Sequence, residues 1–368
     1  MKNKLLLSTA LVSGLVAGGS ALAQTTVTGD LTITYKAMEL GTTGSLSRQG
    51  MGRESQLNIQ NKGSLNNGMT YAAGFSLEFD GQSTVSTTGY SGNNSVTLPE
   101  VRNAEQASIS NENLYIDLIA GTTTLTFGVD HVQNSTTPTV PMITDIYDNV
   151  SLGLGGVSTN QLGARTKESA YVGIVQSIPG TGINASAIYA PQGGNFGGND
   201  QEVGTTSARN PSYELGLAGA DIFGVKGLNA RYFTNKEAKA ESTLTDLKGT
   251  SYGVSYTYGQ FAAGFDRMKT NRTAATTQSE VDVTMNRYGV TYAATKDISL
   301  GYVYSKADVS SATADEKIKS IQLGYSLGPV AIIADYSTID NIQGRATEAS
   351  FLSPQDGKQA QIRLTTKF

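Results

Sequence analysis

No cysteine and no tryptophan occur in the 368 residues. Without cysteine there is no disulfide framework, no thiolate nucleophile and no Cys/His zinc cluster. The single histidine, His131, leaves one candidate base for hydrolysis. It sits with Ser135 in a Ser/Thr-rich stretch and reads as a solvated loop residue rather than half of a catalytic pair. After the first 23 residues no run reaches the ~18 uninterrupted apolar residues of a membrane helix. Hydrophobic residues make up only 38 % of the chain, against roughly 45–50 % in ordinary globular domains, a benchmark that also counts glycine. That is thin for one dry core of this size. Bases do not dominate either: 27 Lys and Arg stand against 31 Asp and Glu, which excludes the basic surplus of a nucleic-acid binder. The glycine-rich run 193–198 has neither a lysine nor a following helix pattern, so it reads as a loop and not as a phosphate cradle.

The opening residues read as a cleavable leader. Lys2 and Lys4 precede a short apolar run, 5–16, and Ala21-Leu22-Ala23 is a small-residue cleavage site. The expected organisation is a leader, 1–23, followed by one domain, 24–368. Without the two leader lysines the remainder is more acidic than the whole chain, whose formal charge is −4.

What is present is glycine (42), tyrosine (18) and phenylalanine (10), set in short alternating segments. In 358–368, Ala360, Ile362, Leu364, Thr366 and Phe368 share one face. Gln361, Arg363, Thr365 and Lys367 share the other, which is the signature of a strand. A strand left at a sheet edge wants a partner. The expected partner is 26–36, where Val27, Leu31, Ile33 and Tyr35 oppose Thr28, Asp30, Thr32, Thr34 and Lys36. Between these two lie 54–61, 69–80, 108–119, 124–130, 168–176, 183–190, 212–220, 228–233, 251–258, 261–268, 286–294, 298–305, 317–327 and 330–337, giving sixteen segments in all. Connections after even-numbered segments are short. Those after odd-numbered ones are long: 37–53, 81–106, 131–167, 191–210, 234–250, 271–285, 308–316 and 340–357. An even strand number with all the long loops at one end is the pattern of an outer-membrane barrel. The expected fold is therefore all-β: a 16-stranded antiparallel transmembrane barrel with short periplasmic turns and long extracellular loops.

The two faces agree. Tyr35, Tyr256, Tyr258, Phe261, Tyr302, Tyr304, Tyr325, Tyr336 and Phe368 fall outward near strand ends, where an aromatic girdle lies. Charged residues fall inward: the acids Asp30, Glu54, Glu78, Asp80, Asp117, Glu214, Asp266 and Asp335, and the bases Lys36, Arg231, Arg287, Arg363 and Lys367. A dry core would have to neutralise each of them, whereas a water-filled lumen hydrates them. With the apolar residues expected only on the outside, the low hydrophobic content is explained. The inward acids outnumber the bases, which predicts a mild cation preference.

The alternating tail ending in Phe368, the strand-turn-strand 114–128, and Leu125-Thr126-Phe127-Gly128 just ahead of the longest connection resemble the general-diffusion porins of Gram-negative outer membranes. The resemblance spans 24–368. It implies a homotrimer of barrels in which the third external loop, here 131–167, folds inward and narrows the lumen. Acidic loop residues then face a basic wall. It places Asp145 and Asp148 on that loop and Asp130 at its start. Arg48, Arg53 and Arg102 become the opposing wall, with Asp117, Arg231, Arg287 and Arg363 lining the pore. Pro138, Pro141 and Tyr147 would stiffen the loop. Strands two and three carry Glu54, Glu78 and Asp80 where the family's strongest forms have an arginine ladder. The implied partners are outer-membrane lipid and lipopolysaccharide, two further copies of the chain, and small hydrophilic solutes and ions. Outward Gly29 and Ala73 would let a neighbouring copy approach. No cofactor and no catalysis are implied. Asn199-Asp200 and Asp315-Glu316 offer oxygens to calcium in external loops. Two other readings stay open on sequence alone: a substrate-specific channel and an exported structural or adhesive β protein.

Overall fold

Alternation along 26–36 and 358–368 becomes the closing seam of a barrel. In the computed structural model, strand β1 (Gln24–Leu40) pairs antiparallel with β18 (Gly357–Lys367), from Asp30 opposite Lys367 to Leu40 opposite Gly357. The structure describes residues 24–40, 46–79, 88–91, 94–97, 109–129, 131, 139–144, 170–191, 211–237, 247–273, 280–310, 312–342 and 356–368. Between the seam strands run β2 (Leu46–Ser64), β3 (Thr70–Phe79), β6 (Ile109–Ala120), β7 (Thr123–Gly128), β8 (Tyr171–Ile178), β9 (Ile183–Ala190), β10 (Ser212–Gly219), β11 (Leu228–Glu237), β12 (Leu247–Tyr258), β13 (Phe261–Thr273), β14 (Glu280–Ala293), β15 (Ile298–Val309), β16 (Glu316–Leu327) and β17 (Val330–Asp340). These sixteen close into one antiparallel barrel in sequence order. Two short strands in the 81–106 connection, β4 (Thr88–Ser91) and β5 (Asn94–Thr97), pair only with each other.

At the seam the Gly29 N–H donates to the Phe368 carbonyl at 2.8 Å, and the Phe368 N–H donates back at 2.9 Å. The Phe368 ring occupies the space a side chain at 29 would need, since a Cβ there would stand 2.5 Å from its Cζ. Gly29 is therefore not a notch for a neighbouring copy, because the chain's own Phe368 covers it. At the short-turn end, Gly121, Gly259 and Gly328 take φ of +58°, +58° and +73°. A two-residue hairpin turn requires that conformation, and residues bearing a Cβ resist it.

The strands run further than alternation predicts. β1 and β2 stay paired from Gln24–Lys62 up to Leu40–Leu46, so most of the expected loop 37–53 is strand. The ends of 234–250 and 271–285 are strand as well. The reason is visible on β13 to β18, where the pattern inverts along the strand. Above Phe265, Tyr288, Tyr304 and Tyr336 the outward positions turn charged: Lys269, Asp282, Lys306, Lys319, Asp340 and Lys358. They pair as Lys269–Asp282 (3.8 Å), Lys306–Asp315 (2.8 Å), Lys319–Asp340 (3.2 Å) and Lys358–Glu39 (3.0 Å). Exposed pairs of this kind add little stability. Their meaning is positional: the barrel rises out of the apolar band into water.

The inside inverts too, which overturns the expectation that apolar residues lie only outside. Met268, Met285, Val303, Ile318 and Ile339 all point inward and are buried, and they form one cluster with Val140 of the third loop. Burying each such side chain contributes about 1.5–3 kcal/mol. This sector of the lumen is packed with side chains.

Candidate functional site

The third loop is fixed to the inner wall at two places. The first is its root. A bulge puts Asn113 of β6 at φ 51° and shifts the register against β3 between Gly74 and Ser76. Tyr115 thereby faces inward between Gly74 and Gly128, and the Gln60 side-chain amide donates to its hydroxyl. The His131 ring stacks on Tyr115 with centroids 3.5 Å apart and planes 1° from parallel. Its Nε2 lies 3.1 Å from Asp117 Oδ2, while Thr126 Oγ1 donates to Asp117 Oδ1 at 2.6 Å. The His131 backbone N–H donates to the Tyr171 hydroxyl at 3.1 Å. His131 thus clamps the root of the loop while staying water-accessible, as the sequence suggested. Asp117 faces inward as expected, but it is bound into this clamp.

The second place is the seat of residues 139–144. The N–H groups of Thr139 and Val140 donate to the Asp266 carboxylate at 3.0–3.2 Å. Further along, Gln322 acts as a substitute strand. Its Oε1 accepts from Ile143 N–H at 2.8 Å and Thr144 N–H at 3.3 Å, and its Nε2 donates to the Thr144 carbonyl at 2.7 Å. The segment therefore crosses the inner wall from β13 to β16. Val140 and Met142 pack into the inward apolar cluster.

Asp266 also holds two arginines. Arg231 lies opposite Gly253, Gly253 opposite Asp266, and Asp266 opposite Arg287. The empty side-chain position at Gly253 lets the carboxylate reach Arg231 Nη2 at 3.3 Å while Arg287 Nη2 binds at 3.1 Å. All three side chains are almost fully buried. Arg231 and Arg287 do point inward, as expected, yet they lie beneath the loop as part of its anchor. A pair of charges taken out of water needs this geometry and these extra N–H donors to persist.

The remaining expected site residues separate. Arg363 faces inward beside Thr34 and is half-buried. Arg53 does not face the lumen. It lies opposite Ile33, an outward residue, so the register puts it on the exterior; the strand began earlier than alternation suggested, and parity assigned its face. Arg48 pairs with Met38 in the backbone register, and its side chain lies outside the described residues, as do Arg102, Asp130, Asp145, Asp148, Tyr147, Pro138 and Asp80. Of the eight acids expected to face inward, four are buried: Asp117, Glu214, Asp266 and Asp335. Among the described residues, the inward acids, lysines and arginines that reach water belong to β18, β1, β2 and β3: Asp30, Glu54 and Glu78 against Lys36, Lys62, Arg363 and Lys367. The Asp315 carboxylate is engaged by Lys306, and among the described residues no three acids or imidazoles gather as a metal site. Asn199-Asp200 lies outside them.

The chain's similarities agree with this geometry. Vibrio cholerae OmpT, folded in vitro and in a trimer form, superposes with a TM-score of 0.58 at 12 % identity, over 94 % of this chain and 99 % of that one. Salmonella typhi OmpF in complex with daunomycin gives 0.60 at 12 %, over 94 % and 98 %. A triple mutant of the Rhodopseudomonas blastica porin gives 0.58 at 12 %, over 94 % and 100 %. At such identities the likeness shows the fold. A search of curated proteins finds no match. The model of the Gram-negative porin family matches residues 8–344, nearly the whole chain. With a closed sixteen-stranded barrel and a water-reached inner wall, the chain belongs to the Gram-negative porin family, as an outer-membrane diffusion pore.

Proposed function

We propose that small hydrophilic solutes and ions diffuse passively between the seated segment 139–144 and the wall of β18, β1, β2 and β3, with that gap setting the size limit. The observation that carries this reading is the seat itself. Asp266 and Gln322 hold the loop over β13–β16, and the apolar cluster fills the space above it. Among the described residues, only the opposite wall keeps water-accessible inward Asp, Glu, Lys and Arg side chains. That wall is nearly balanced in sign, so selectivity is weak. Asp130, Asp145 and Asp148 on the loop are the acids that tip it toward cations. A channel, rather than an enzyme, is the chemistry this arrangement supports. The refolded chain in a planar bilayer under a salt gradient should give discrete steps with a small reversal potential of cation-selective sign. A large reversal potential, or block by one solute at low concentration, would make it a substrate-specific channel. A folded barrel without conductance would sink the pore.

The exterior supports a trimer, with β1–β3 as the shared wall. Arg53 sits outward between Met51 and Ser55, level with Ile33 in the apolar band. An arginine facing lipid costs up to about 2–4 kcal/mol at the bilayer midplane and about 0–1 near its edges. Packing against another copy removes that contact with lipid. Arg53→Leu should therefore weaken the trimer band on unheated gels while leaving the monomer barrel folded. If Arg53 faced lipid, the same variant would leave the trimer unchanged and raise barrel stability. Higher on the outside, Lys306, Lys317 and Lys319 stand at the level of outer-leaflet phosphates, which supports lipopolysaccharide as the surrounding partner.

A further inference from the structure

Beneath the seated segment the wall carries one inward glycine on each of five consecutive strands: Gly253 on β12, Gly264 on β13, Gly289 on β14, Gly301 on β15 and Gly324 on β16. Glycine within a strand is destabilising by roughly 0.5–1 kcal/mol relative to alanine, and it commonly marks close approach by another backbone. Here the loop makes the approach, with its backbone at Gly289 and with side chains at the other four. A Cβ at Gly289 would fall inside contact distance of Val140 Cγ1 and the Pro141 carbonyl oxygen. At Gly264 it would stand 2.7 Å from Pro141 Cδ, with Ser255 Cβ of the wall at 2.8 Å, and at Gly324 3.1 Å from Ile143 Cγ2, with Ser299 Oγ of the wall at 2.6 Å. At Gly301 the nearest Ile143 carbons lie at 3.3 Å. On the opposite wall a Cβ at Gly50 or Gly52 would meet nothing within 4 Å.

We infer that these wall glycines fix how far the loop stands off the barrel, and so set the width of the open path. The inference rests on the pore reading above. Asp266 at one end and Gln322 at the other hold the segment along the wall, so it cannot slide away from added bulk. Restoring an ordinary carbon contact of about 3.5–4.0 Å at Gly289 pushes the segment roughly 1 Å or more into the lumen. The glycines would thus be specificity-determining through the loop, without touching the solute themselves.

The test is a series of single methyl additions in the refolded full barrel, Gly289→Ala, Gly264→Ala and Gly301→Ala, with Ala263→Val on the outward face of β13 as the control. Heat-dependent gel mobility certifies folding. Gly289→Ala and Gly264→Ala should lower single-channel conductance by roughly 20–40 % for a shift of that size. Liposome swelling should show a trisaccharide losing more of its flux than a monosaccharide. Gly301→Ala should fall less, and Ala263→Val should match the parent. Folded Gly289→Ala or Gly264→Ala with parental or higher conductance overturns the inference. If both fail to fold, Gly301→Val carries the same test: reduced conductance supports the stand-off, and unchanged conductance overturns it. A parent chain that does not conduct would instead defeat the pore reading.

Discussion

Asp266→Asn should release the loop and destabilise the barrel in one step. The side chain keeps its shape, but the counter-charge that Arg231 and Arg287 share is gone, and both arginines are almost fully buried. Removing one member of a buried ionic group typically costs about 3–5 kcal/mol. For a large domain this corresponds to roughly 5–10 °C in the temperature at which the folded gel band converts to the unfolded one. The amide introduced by this substitution would also turn a donor toward an arginine, weakening its hold on the N–H groups of Thr139 and Val140. The open-channel current should accordingly become noisier. Unchanged thermal conversion together with a quiet, parental current would show that the triad anchors nothing. The combined variant Asp266→Leu/Arg231→Met/Arg287→Met separates the two effects. Replacing a buried ionic triad with apolar side chains of similar volume is often neutral or stabilising. Thermal conversion should therefore recover, while the noise persists, because the acceptor for Thr139 and Val140 is still missing.

The double variant Lys36→Glu/Arg363→Glu should convert a weakly selective pore into a strongly cation-selective one. Both residues face inward on the water-reached wall, at the β1–β18 seam. A unit charge about 7 Å from a passing ion contributes about 0.6 kcal/mol even at the dielectric of water. The exchange alters the wall by four charge units. After screening over a Debye length of about 10 Å at 0.1 M salt, the cation-to-anion permeability ratio should still rise at least about fivefold. The reversal potential under a salt gradient reads this directly. Arg231→Gln/Arg287→Gln is the comparison: it also removes inward positive charge, but from beneath the loop, so it should move the reversal potential much less. Equal shifts from the two double variants would mean that the buried arginines line the path and that the water-reached wall is wrongly identified.

Much of the barrel was legible in the chain because it is written in a period of two. Outward apolar positions such as Leu31, Ile33, Ile362 and Leu364, the sixteen segments and the seam between 26–36 and the tail all follow from alternation. Lipid selects one face and the neighbouring strand fixes the register. The glycines of the short turns were equally local, as φ +58° at Gly121 and Gly259 is a property of two residues. Strand lengths were harder. Above the membrane both faces are half-polar, and the inverted pattern around Lys269, Lys306 and Lys319 resembles loop composition. A local hint of the loop's inward path is the uninterrupted apolar run Val140-Pro141-Met142-Ile143 within the connection 131–167. Such a run has to be buried somewhere, but nothing in its own residues says where.

Alternation alone is enough to say which face meets lipid, how many strands the barrel has, and that its first and last strands pair. Each of these depends on neighbours one or two residues apart, or on the free energy of one face against one solvent. The duties of the inward charges follow from the assembled barrel instead. Parity treats Asp266, Arg231 and Arg287 like Lys36 and Arg363, because all five simply point inward. Two of them line water and three anchor a loop that begins more than a hundred residues before Asp266. That difference comes from which remote backbone arrives at the wall, and a period of two carries no record of it. The same holds for His131, whose ring is turned into a clamp by a bulge on another strand. Arg53 is the opposite case: alternation carried down from Leu57 and Ile59 already puts it outward, once β2 is known to begin before it.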